Sequence, residues 1–206
     1  MNTLARSRDM KILDGLEKFK YMRSDQIAEI YFTTIKKRDH RIKKTSERMK
    51  RLHAMEFVKR MRFPGEPYIY TIGGTAYNNK ILHYLAVVDV YIALNKLKPS
   101  GSVLYFEPEI KFEDVICDLW VEHKNGFNNK HKEYFVEVEL NSSGDISEKV
   151  QKYTRLFRHR EREGKSGDQL YIIFNKERTG KQITASGNNM ALKLIPLGSL
   201  ETEWTW

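Results

Sequence analysis

The sequence predicts an α+β protein made of an N-terminal helical module with a β-hairpin, a linking helix and a C-terminal α/β domain. Three observations support this class. Apolar residues recur at helical spacing over the first 55 residues, a strongly apolar helical stretch fills residues 81–97, and strand-like runs then alternate with one amphipathic helix. We therefore expect domains at residues 1–80 and 101–206, joined by a connecting helix at residues 81–100.

The N-terminal module is predicted to contain three helices. The first covers residues 10–20 behind Asp9 as N-cap, the second follows Ser24, whose hydroxyl can accept a backbone N–H, and the third covers residues 40–55. Each helix has an apolar stripe that we expect to be buried. The stripes consist of Ile12, Leu13, Leu16 and Phe19; Ile27, Ala28, Ile30 and Tyr31; and Ile42, Met49, Leu52 and Met55.

A hairpin is predicted to follow the third helix. Residues 57–63 and 67–72 are rich in aromatic and branched side chains, and the turn-forming Pro64, Gly65 and Glu66 separate them. Three helices followed by a hairpin is the order of a winged helix-turn-helix, in which the third helix enters the major groove and the hairpin touches the backbone beside it. The order of elements therefore predicts a winged-helix DNA-binding domain.

Positive charge is concentrated in one segment of the chain. The protein has a formal net charge of +9 and a pI near 9.4. Residues 36–62 contain twelve Lys or Arg and three Asp or Glu, so this segment alone equals the whole excess. The rest of the chain is formally balanced. A localised basic segment predicts a polyanionic partner, and its position in the third helix and hairpin favours double-stranded DNA.

The third helix and hairpin supply the candidate DNA-binding residues. Arg and Lys on a groove-inserted helix reach guanine edges or phosphates, and small hydroxyl residues such as Thr45 and Ser46 permit close approach. The alternative is a charged helix that is merely solvated. The candidates are Lys43, Lys44, Thr45, Arg48, Lys50, Arg51, Lys59, Arg60 and Arg62.

The C-terminal domain is predicted to be an α/β structure. Its strands are expected near 103–106, over 109–121 with an internal turn, and at 133–140, 169–174 and 191–196, with a helix over 146–163. Asp145 and Glu148 have capping-box spacing at the start of that helix. Its apolar face comprises Ile146, Val150, Tyr153 and Phe157. Its arginines at 155, 158, 160 and 162 are expected to be solvated in preference to forming a second DNA contact.

Two strands of this domain carry a set of acidic residues. In the run VICDLWV, Asp118 lies on one face between Ile116 and Trp120, and in YFVEVEL, Glu137 and Glu139 share a face. Carboxylates on apolar strands are costly to bury without a cation or fixed partner. If the strands pair in the right register, the three carboxylates converge, and such a cluster suits Mg²⁺ or Mn²⁺. The alternative is charge that alternates towards water on a half-exposed sheet.

This acidic pattern resembles the core of the PD-(D/E)xK nucleases. The resemblance rests on an acidic residue on one strand, a Glu-x-Glu on the next and a helix after it. It implies that Asp118 and Glu137 bind the metal, and that Glu139 stands where the family usually carries a lysine. Some restriction enzymes of this fold have Glu at that place and remain active. Lys149 or Lys152 of the following helix can reach the site, and we count Lys152 among the candidate catalytic residues with Asp118, Glu137 and Glu139.

The chain as a whole resembles the plasmid replication-relaxation family. The resemblance covers residues 9–160 and includes the Glu-x-Glu strand, a small-residue turn at 142–144 and a helix with Lys149, Lys152 and Tyr153. It implies a role in replication or DNA relaxation of a plasmid or other mobile element, with replication or relaxosome proteins as partners. A tyrosine relaxase requires a cluster of three His beside its nucleophile, and the six His residues lack such spacing.

Three functions follow, in this order of preference. The first is a DNA-binding accessory factor for replication or mobilisation, and the second is an endonuclease that uses Mg²⁺ or Mn²⁺. The third is a winged-helix transcriptional regulator whose second domain senses a ligand or forms a homo-oligomer. The single cysteine, Cys117, allows no intramolecular disulfide, and no apolar run is long enough to cross a bilayer. We therefore expect a cytoplasmic protein with no membrane partner.

Overall fold

The computed structural model describes residues 3–73, 80–126, 131–140, 146–165, 169–174, 191–204 and 206. It is a mixed α+β structure, as the sequence predicts. The chain forms two compact units, Met1–Ile92 and Ala93–Trp206, so the boundary falls inside the predicted connecting helix. Within these described segments, no helix is both long enough and apolar enough to span a bilayer.

The N-terminal unit consists of helices followed by a small antiparallel sheet. Strand β3 is the central strand of this sheet, between β1 and β2. The order along the chain is therefore three helices and then the β2–β3 hairpin, with one short strand between the first two helices. The elements are α1 (Thr3–Phe19), β1 (Met22–Arg23), α2 (Ser24–Tyr31), α3 (Arg38–Ala54), β2 (Lys59–Met61), β3 (Ile69–Thr71) and α4 (Ile81–Leu97), whose first part belongs to this unit.

The predicted apolar faces of the three helices form the core of this unit. Ile12, Leu16, Ile27 and Met49 have no exposed surface. The prediction is met only in part by Leu13, Ile30, Tyr31 and Ile42, which are half-buried. It is wrong for Met55, which is 57% exposed because α3 ends at Ala54 and Met55 is its C-cap.

The helix starts also differ from the predicted ones. Helix α1 begins six residues before Asp9, so Asp9 lies inside the helix and is not its N-cap. The N-cap of α2 is Arg23, one residue before Ser24, and its backbone N–H donates to the side chain of Gln26 at 2.9 Å. The side chain that closes this end of α2 is therefore an amide three residues into the helix.

The first part of α4 is tied to β1 and α2 by polar contacts. Asp89 accepts hydrogen bonds from Arg23 at 2.9 Å and from Gln26 at 2.7 Å, and Gln26 also donates to the carbonyl of Leu85 at 2.8 Å. Helix α4 is apolar around its circumference, so a single carboxylate in its middle needs partners of this kind. These bonds attach the first part of α4, as far as Ile92, to the N-terminal unit.

The β2–β3 hairpin closes through a tight turn at Phe63–Glu66. The backbone N–H of Glu66 donates to the carbonyl of Phe63 at 3.1 Å. Pro64 occupies the second position of this turn, and Gly65 follows with a φ of +79°, a conformation that glycine adopts without strain. The turn residues identified in the sequence therefore close the hairpin where expected.

The C-terminal unit contains a five-stranded mixed sheet in the order β4-β5-β6-β7-β8. Strands β4, β5 and β6 are antiparallel neighbours, whereas β7 and β8 run parallel to β6. The helix α5 connects β6 to β7, as a parallel connection requires. The elements are β4 (Ser102–Phe112), β5 (Val115–Asn125), β6 (His131–Glu139), α5 (Ser147–Arg162), β7 (Gln169–Phe174), β8 (Ala191–Pro196), a 3₁₀ turn (Leu197–Ser199) and α6 (Leu200–Glu203).

The sheet of the C-terminal unit has a different core on each face. On one face, α5 buries Val150, Tyr153 and Phe157 against Cys117 and Phe135. The other face is aromatic: it includes Tyr134, Tyr171, Trp204 and Trp206, whose rings lie between 4.0 and 5.8 Å apart where they are in contact. The predicted apolar face of α5 is confirmed. The capping residue Asp145, the small-residue turn at 142–144 and all of residues 175–190, between β7 and β8, lie outside the described residues.

Candidate nucleic-acid interface and acidic cluster

The side of α3 that faces solvent is basic. Met49 and Leu52 are buried in the helical core, so the opposite side of the helix is exposed. Lys43 and Lys50 both lie on that exposed side, and because they are seven residues apart, 3.6 residues per turn brings them almost into line. Arg51 is exposed next to Lys50. These cationic side chains are therefore accessible to an extended anion.

Lys44 is the fourth exposed cation of this helix among the predicted residues. Its ammonium forms an ion pair of 2.9 Å with Glu47, one turn further along. The Lys44 ammonium accordingly lowers the pKa of Glu47. An exposed pair of this kind is screened by water, so both groups remain accessible to a competing ligand.

Two arginines of α3 bind carboxylates of neighbouring helices. The guanidinium of Arg48 forms a two-pronged contact with the carboxylate of Asp9 on α1, and Arg41 lies 3.0 Å from Glu29 on α2. Both arginines are partly buried. Arg48 was predicted to contact DNA, but in the structure its guanidinium helps to hold α3 against α1.

Thr45 cannot serve as a DNA contact. Its side chain has no exposed surface, and its hydroxyl donates to the carbonyl of Arg41 at 2.9 Å. It lies four residues before Met49 and seven before Leu52, which places it on the same stripe as the core residues. The prediction for Thr45 is therefore wrong, whereas Ser46 is exposed as expected.

The hairpin adds a second group of cations beside an aromatic ring. The guanidinium groups of Arg60 and Arg62 lie 4.9 and 5.3 Å from the centre of the Tyr68 ring, which is itself exposed. Cation–π contacts of this kind hold two flexible side chains in a defined place. Arg62 also donates to the carbonyl of Glu66 at 2.8 Å. Lys59, at the start of β2, is exposed.

The acidic cluster of the second unit begins where the β5–β6 ladder ends. The ladder runs as far as the pair Leu119 and Val136. Beyond it, side chains of β5 replace the backbone as hydrogen-bond partners of β6. Asp118 accepts a hydrogen bond from the N–H of Val138 at 2.8 Å, and the thiol of Cys117 donates to the carbonyl of Val136 at 3.6 Å. The Asp118 carboxylate is thereby turned towards β6.

Glu137 is the most buried carboxylate of the cluster. Like Asp118, it lies one residue beyond the last ladder pair, and only 2% of its side chain is exposed. The hydroxyl of Tyr153 donates to Oε1 of Glu137, and the ammonium of Lys149 lies 2.8 Å from Oε2. Burial raises the pKa of Glu137 to about 8; the Asp118 carboxylate acts in the same direction, and Lys149 opposes both.

Lys149 of α5 is the cation of this cluster. Its ammonium contacts Glu139 as well as Glu137. Burial disfavours the charged ammonium, but the two carboxylates outweigh burial and raise the pKa of Lys149. Lys149 and Tyr153 are four residues apart on α5, so both point from one side of the helix to the end of β6.

As it stands, the cluster does not fit a divalent metal. Mg²⁺ and Mn²⁺ bind several oxygen ligands at once, but both oxygens of Glu137 and one oxygen of Asp118 already have partners. In the segments that the structure describes, no group of three or more His, Cys, Asp or Glu side chains is arranged to hold a metal ion. Glu137 and Glu139 instead converge on an ammonium group.

Other residues predicted for this region lie elsewhere. Lys152 forms an ion pair of 2.8 Å with Glu148 on the solvent side of α5 and does not join the acidic cluster. Ile116, expected to flank Asp118 on one face of the strand, is 62% exposed, so its side chain lies in solvent although its neighbours Val115 and Cys117 are buried. Arg160, expected to be solvated, is 5% exposed and lies 2.7 Å from Glu133, so it is part of the core.

Sequence reasoning named Lys149 as an alternative to Lys152 and gave Tyr153 no role beyond the apolar face. No local signal distinguishes the two lysines, because each immediately precedes a buried residue of that face, Val150 after Lys149 and Tyr153 after Lys152. Comparison with protein-family models, with curated proteins and with solved structures gives no match.

Proposed function

We propose that the protein binds double-stranded DNA through its N-terminal unit, with α3 as the recognition helix and the β2–β3 hairpin as a wing. The observation that carries this proposal is the exposed basic side of α3, where Lys43 and Lys50 lie in line. Most of the affinity of such a surface comes from neutralising phosphates, so it depends strongly on salt.

The order of elements supports this assignment. Three helices precede the hairpin, and the short strand β1 completes a three-stranded sheet with it. This is the order expected of a winged helix-turn-helix, which inserts its third helix into the major groove. The pair Arg60 and Arg62, held over Tyr68, then lies on the wing, where backbone contacts are expected.

The C-terminal unit supports a role on a mobile element. Its sheet has three antiparallel strands, followed by a crossover helix and a parallel strand, which is the order that the resemblance to the PD-(D/E)xK core implies. Asp118 lies on the second strand and Glu137 on the third. Because Lys149 already contacts both Glu137 and Glu139, we assign this unit a structural or protein-contact role. The protein is then a cytoplasmic accessory factor for replication or relaxation of a plasmid or other mobile element.

Binding of a labelled duplex, measured by fluorescence anisotropy over a range of salt concentrations, tests DNA binding. The variant carrying Lys43→Glu and Lys50→Glu should lose affinity by about 100-fold, because two contacts of about 1–3 kcal/mol each are replaced by repulsion. The slope of log affinity against log salt should fall by about 0.9 for each phosphate contact removed.

A matched control carries Lys98→Glu and Lys165→Glu, which change the net charge by the same amount at exposed positions of the second unit. This control should keep most of the wild-type affinity. Equal binding by the two double variants would contradict the assignment of α3, and no binding by the wild-type protein would contradict DNA binding altogether.

A metal-dependent endonuclease is the second candidate function. The observation in its favour is that Asp118 and Glu137 both adjoin the last ladder pair of β5 and β6, close enough for the Asp118 charge to raise the pKa of Glu137. A plasmid cleavage assay with Mg²⁺ and Mn²⁺ separates the two candidates, with Asp118→Ala and Glu137→Ala as variants. We expect no cleavage by the wild-type protein. Metal-dependent cutting that both substitutions abolish would make the endonuclease the correct assignment.

A further inference from the structure

A cavity lies beside the basic side of α3, between this helix, α1 and the segment that follows α2. Its volume is about 250 Å³. Phe32 and Ile35 provide apolar surface, and charged side chains of α1 and α3 provide the rest. The lining residues are Arg8, Phe32, Ile35, Lys44, Glu47, Arg48 and Arg51.

The charges around this cavity are strongly unequal. Four of the lining residues are cationic and one, Glu47, is acidic. Lys44 pairs with Glu47 and Arg48 pairs with Asp9, so two of the four cations have carboxylate partners. In the part of the chain that the structure describes, the guanidinium groups of Arg8 and Arg51 have no carboxylate partner.

Arg8 is held in place by a contact other than an ion pair. Its guanidinium lies 4.8 Å from the centre of the Phe32 ring, which is 3% exposed and therefore fixed by the core. A guanidinium over an aromatic face keeps its N–H donors available along its edge. Arg8 is thus positioned at the cavity while its hydrogen-bonding capacity remains unused by acids.

The size and chemistry of the cavity indicate its ligand. This volume lies below the roughly 300–1,000 Å³ of pockets for drug-sized molecules. A phosphate group with part of its ester fits such a space. Guanidinium groups bind phosphate through two parallel N–H···O contacts, which are stronger than neutral hydrogen bonds.

We propose that this cavity is a phosphate-binding site in which Arg8 and Arg51 hold a single phosphate group. This proposal rests on the proposed DNA binding for the source of the ligand, because Arg51 follows Lys50 on α3 and a phosphate of the duplex backbone is the nearest candidate. A free phosphorylated molecule has the same chemistry and is the other source. In both cases the cavity adds α1 to a binding surface otherwise made of α3 and the hairpin.

The test uses the full chain, with Arg8→Gln and Arg51→Gln combined in one variant. Its first arm measures duplex affinity over a range of salt concentrations. We expect the variant to bind at least tenfold more weakly and its salt slope to fall by about 0.9, the contribution of one phosphate. Lys98→Gln with Lys165→Gln is the matched control, and it should change neither quantity by a comparable amount.

The second arm measures binding of inorganic phosphate and pyrophosphate by calorimetry and by thermal shift at constant ionic strength, with chloride as reference. Saturable binding of one equivalent by the wild-type protein, lost in the variant, supports the site with a free phosphate as a source. Arg8→Lys with Arg51→Lys keeps the charge but not the planar donors. This Lys variant should recover only part of the wild-type binding, in the duplex arm or the phosphate arm, wherever the Gln variant shows a loss.

The outcomes separate this site from the proposed function. The cavity site is overturned, and DNA binding is left intact, if the wild-type protein binds duplex but no phosphate and the double Gln variant binds duplex as well as the control does. A protein that binds phosphate through Arg8 and Arg51 but not duplex overturns DNA binding and leaves the cavity site intact. Far-UV circular dichroism and the melting temperature establish that the variant is folded before either arm is interpreted.

Discussion

The basic side of α3 and the acidic cluster of the second unit place their charged residues in opposite ways. On α3, Lys43 and Lys50 are exposed, and the core beneath the helix is complete without them. In the second unit, Glu137 is 2% exposed and both its oxygens are bound, by Tyr153 and Lys149. An exposed charge is solvated and adds little to stability, whereas a buried carboxylate requires partners. Charges of the first kind are available to a ligand, and charges of the second kind belong to the fold.

Removing the internal cation of the second unit should have the largest effect. Above pH 8, where Glu137 is ionised, Lys149→Met leaves its carboxylate buried beside Asp118 without a counter-ion. The free energy of unfolding should fall by about 3 kcal/mol, the lower end of the range for a broken buried pair, because Lys149 is partly exposed and Glu137 can take up a proton. Urea unfolding monitored by circular dichroism measures this loss.

Lys152→Met provides the control on the same helix. It removes the same charge three residues further along, from an ion pair with Glu148 that lies in solvent. This substitution should leave stability nearly unchanged, since exposed pairs contribute little. Equal losses for the two variants would show that Lys149 is no more important to the fold than a surface lysine.

The pH dependence of stability should show Glu137 directly. Its pKa in the folded protein is about 8, above the ordinary value of 4.5, so between these values the folded state retains a proton that the unfolded chain has released. Stability should therefore decrease as the pH rises from 4.5 towards 8, and Glu137→Gln should remove that decrease. Urea unfolding of both proteins across this interval is the measurement. A wild-type free energy of unfolding that rises with pH relative to that of the variant would contradict the prediction.

The fold was largely predictable because its elements have clear periodicity and clear turn residues. The apolar helix expected at residues 81–97 is α4 at Ile81–Leu97, and the hairpin closes at Pro64 and Gly65. The predicted start of α1 was too late because residues 3–9 contain few apolar side chains, so no periodic apolar stripe indicates that part of the helix. Periodicity detects the side of a helix that is buried, not the helix itself.

The acidic cluster was less predictable, because its partners come from different elements. Sequence alternation correctly placed Glu137 and Glu139 on one face of β6, but it could not identify which lysine of α5 reaches them. That choice depends on how α5 packs over the end of the sheet, which brings Lys149 and Tyr153 to Glu137 and leaves Lys152 in solvent. Contacts between distant parts of a chain are set by tertiary packing and have no local signature.

The smallest expected effect on stability is that of a substitution at Thr45. It tests the distinction between buried and ligand-accessible residues within α3 itself. Thr45→Val preserves the shape of a fully buried side chain and removes only the hydrogen bond to the carbonyl of Arg41, so stability should fall by less than about 1 kcal/mol. Duplex affinity should not change.

Lys43→Gln, two residues earlier, should do the reverse: it should weaken duplex binding about fivefold, or roughly 1 kcal/mol, while stability stays within about 0.5 kcal/mol of wild type. Anisotropy and urea unfolding on the same two variants give all four values. A loss of affinity in Thr45→Val comparable to that in Lys43→Gln would mean that α3 meets its ligand through another side, because two residues at 100° each place these positions on nearly opposite sides of the helix.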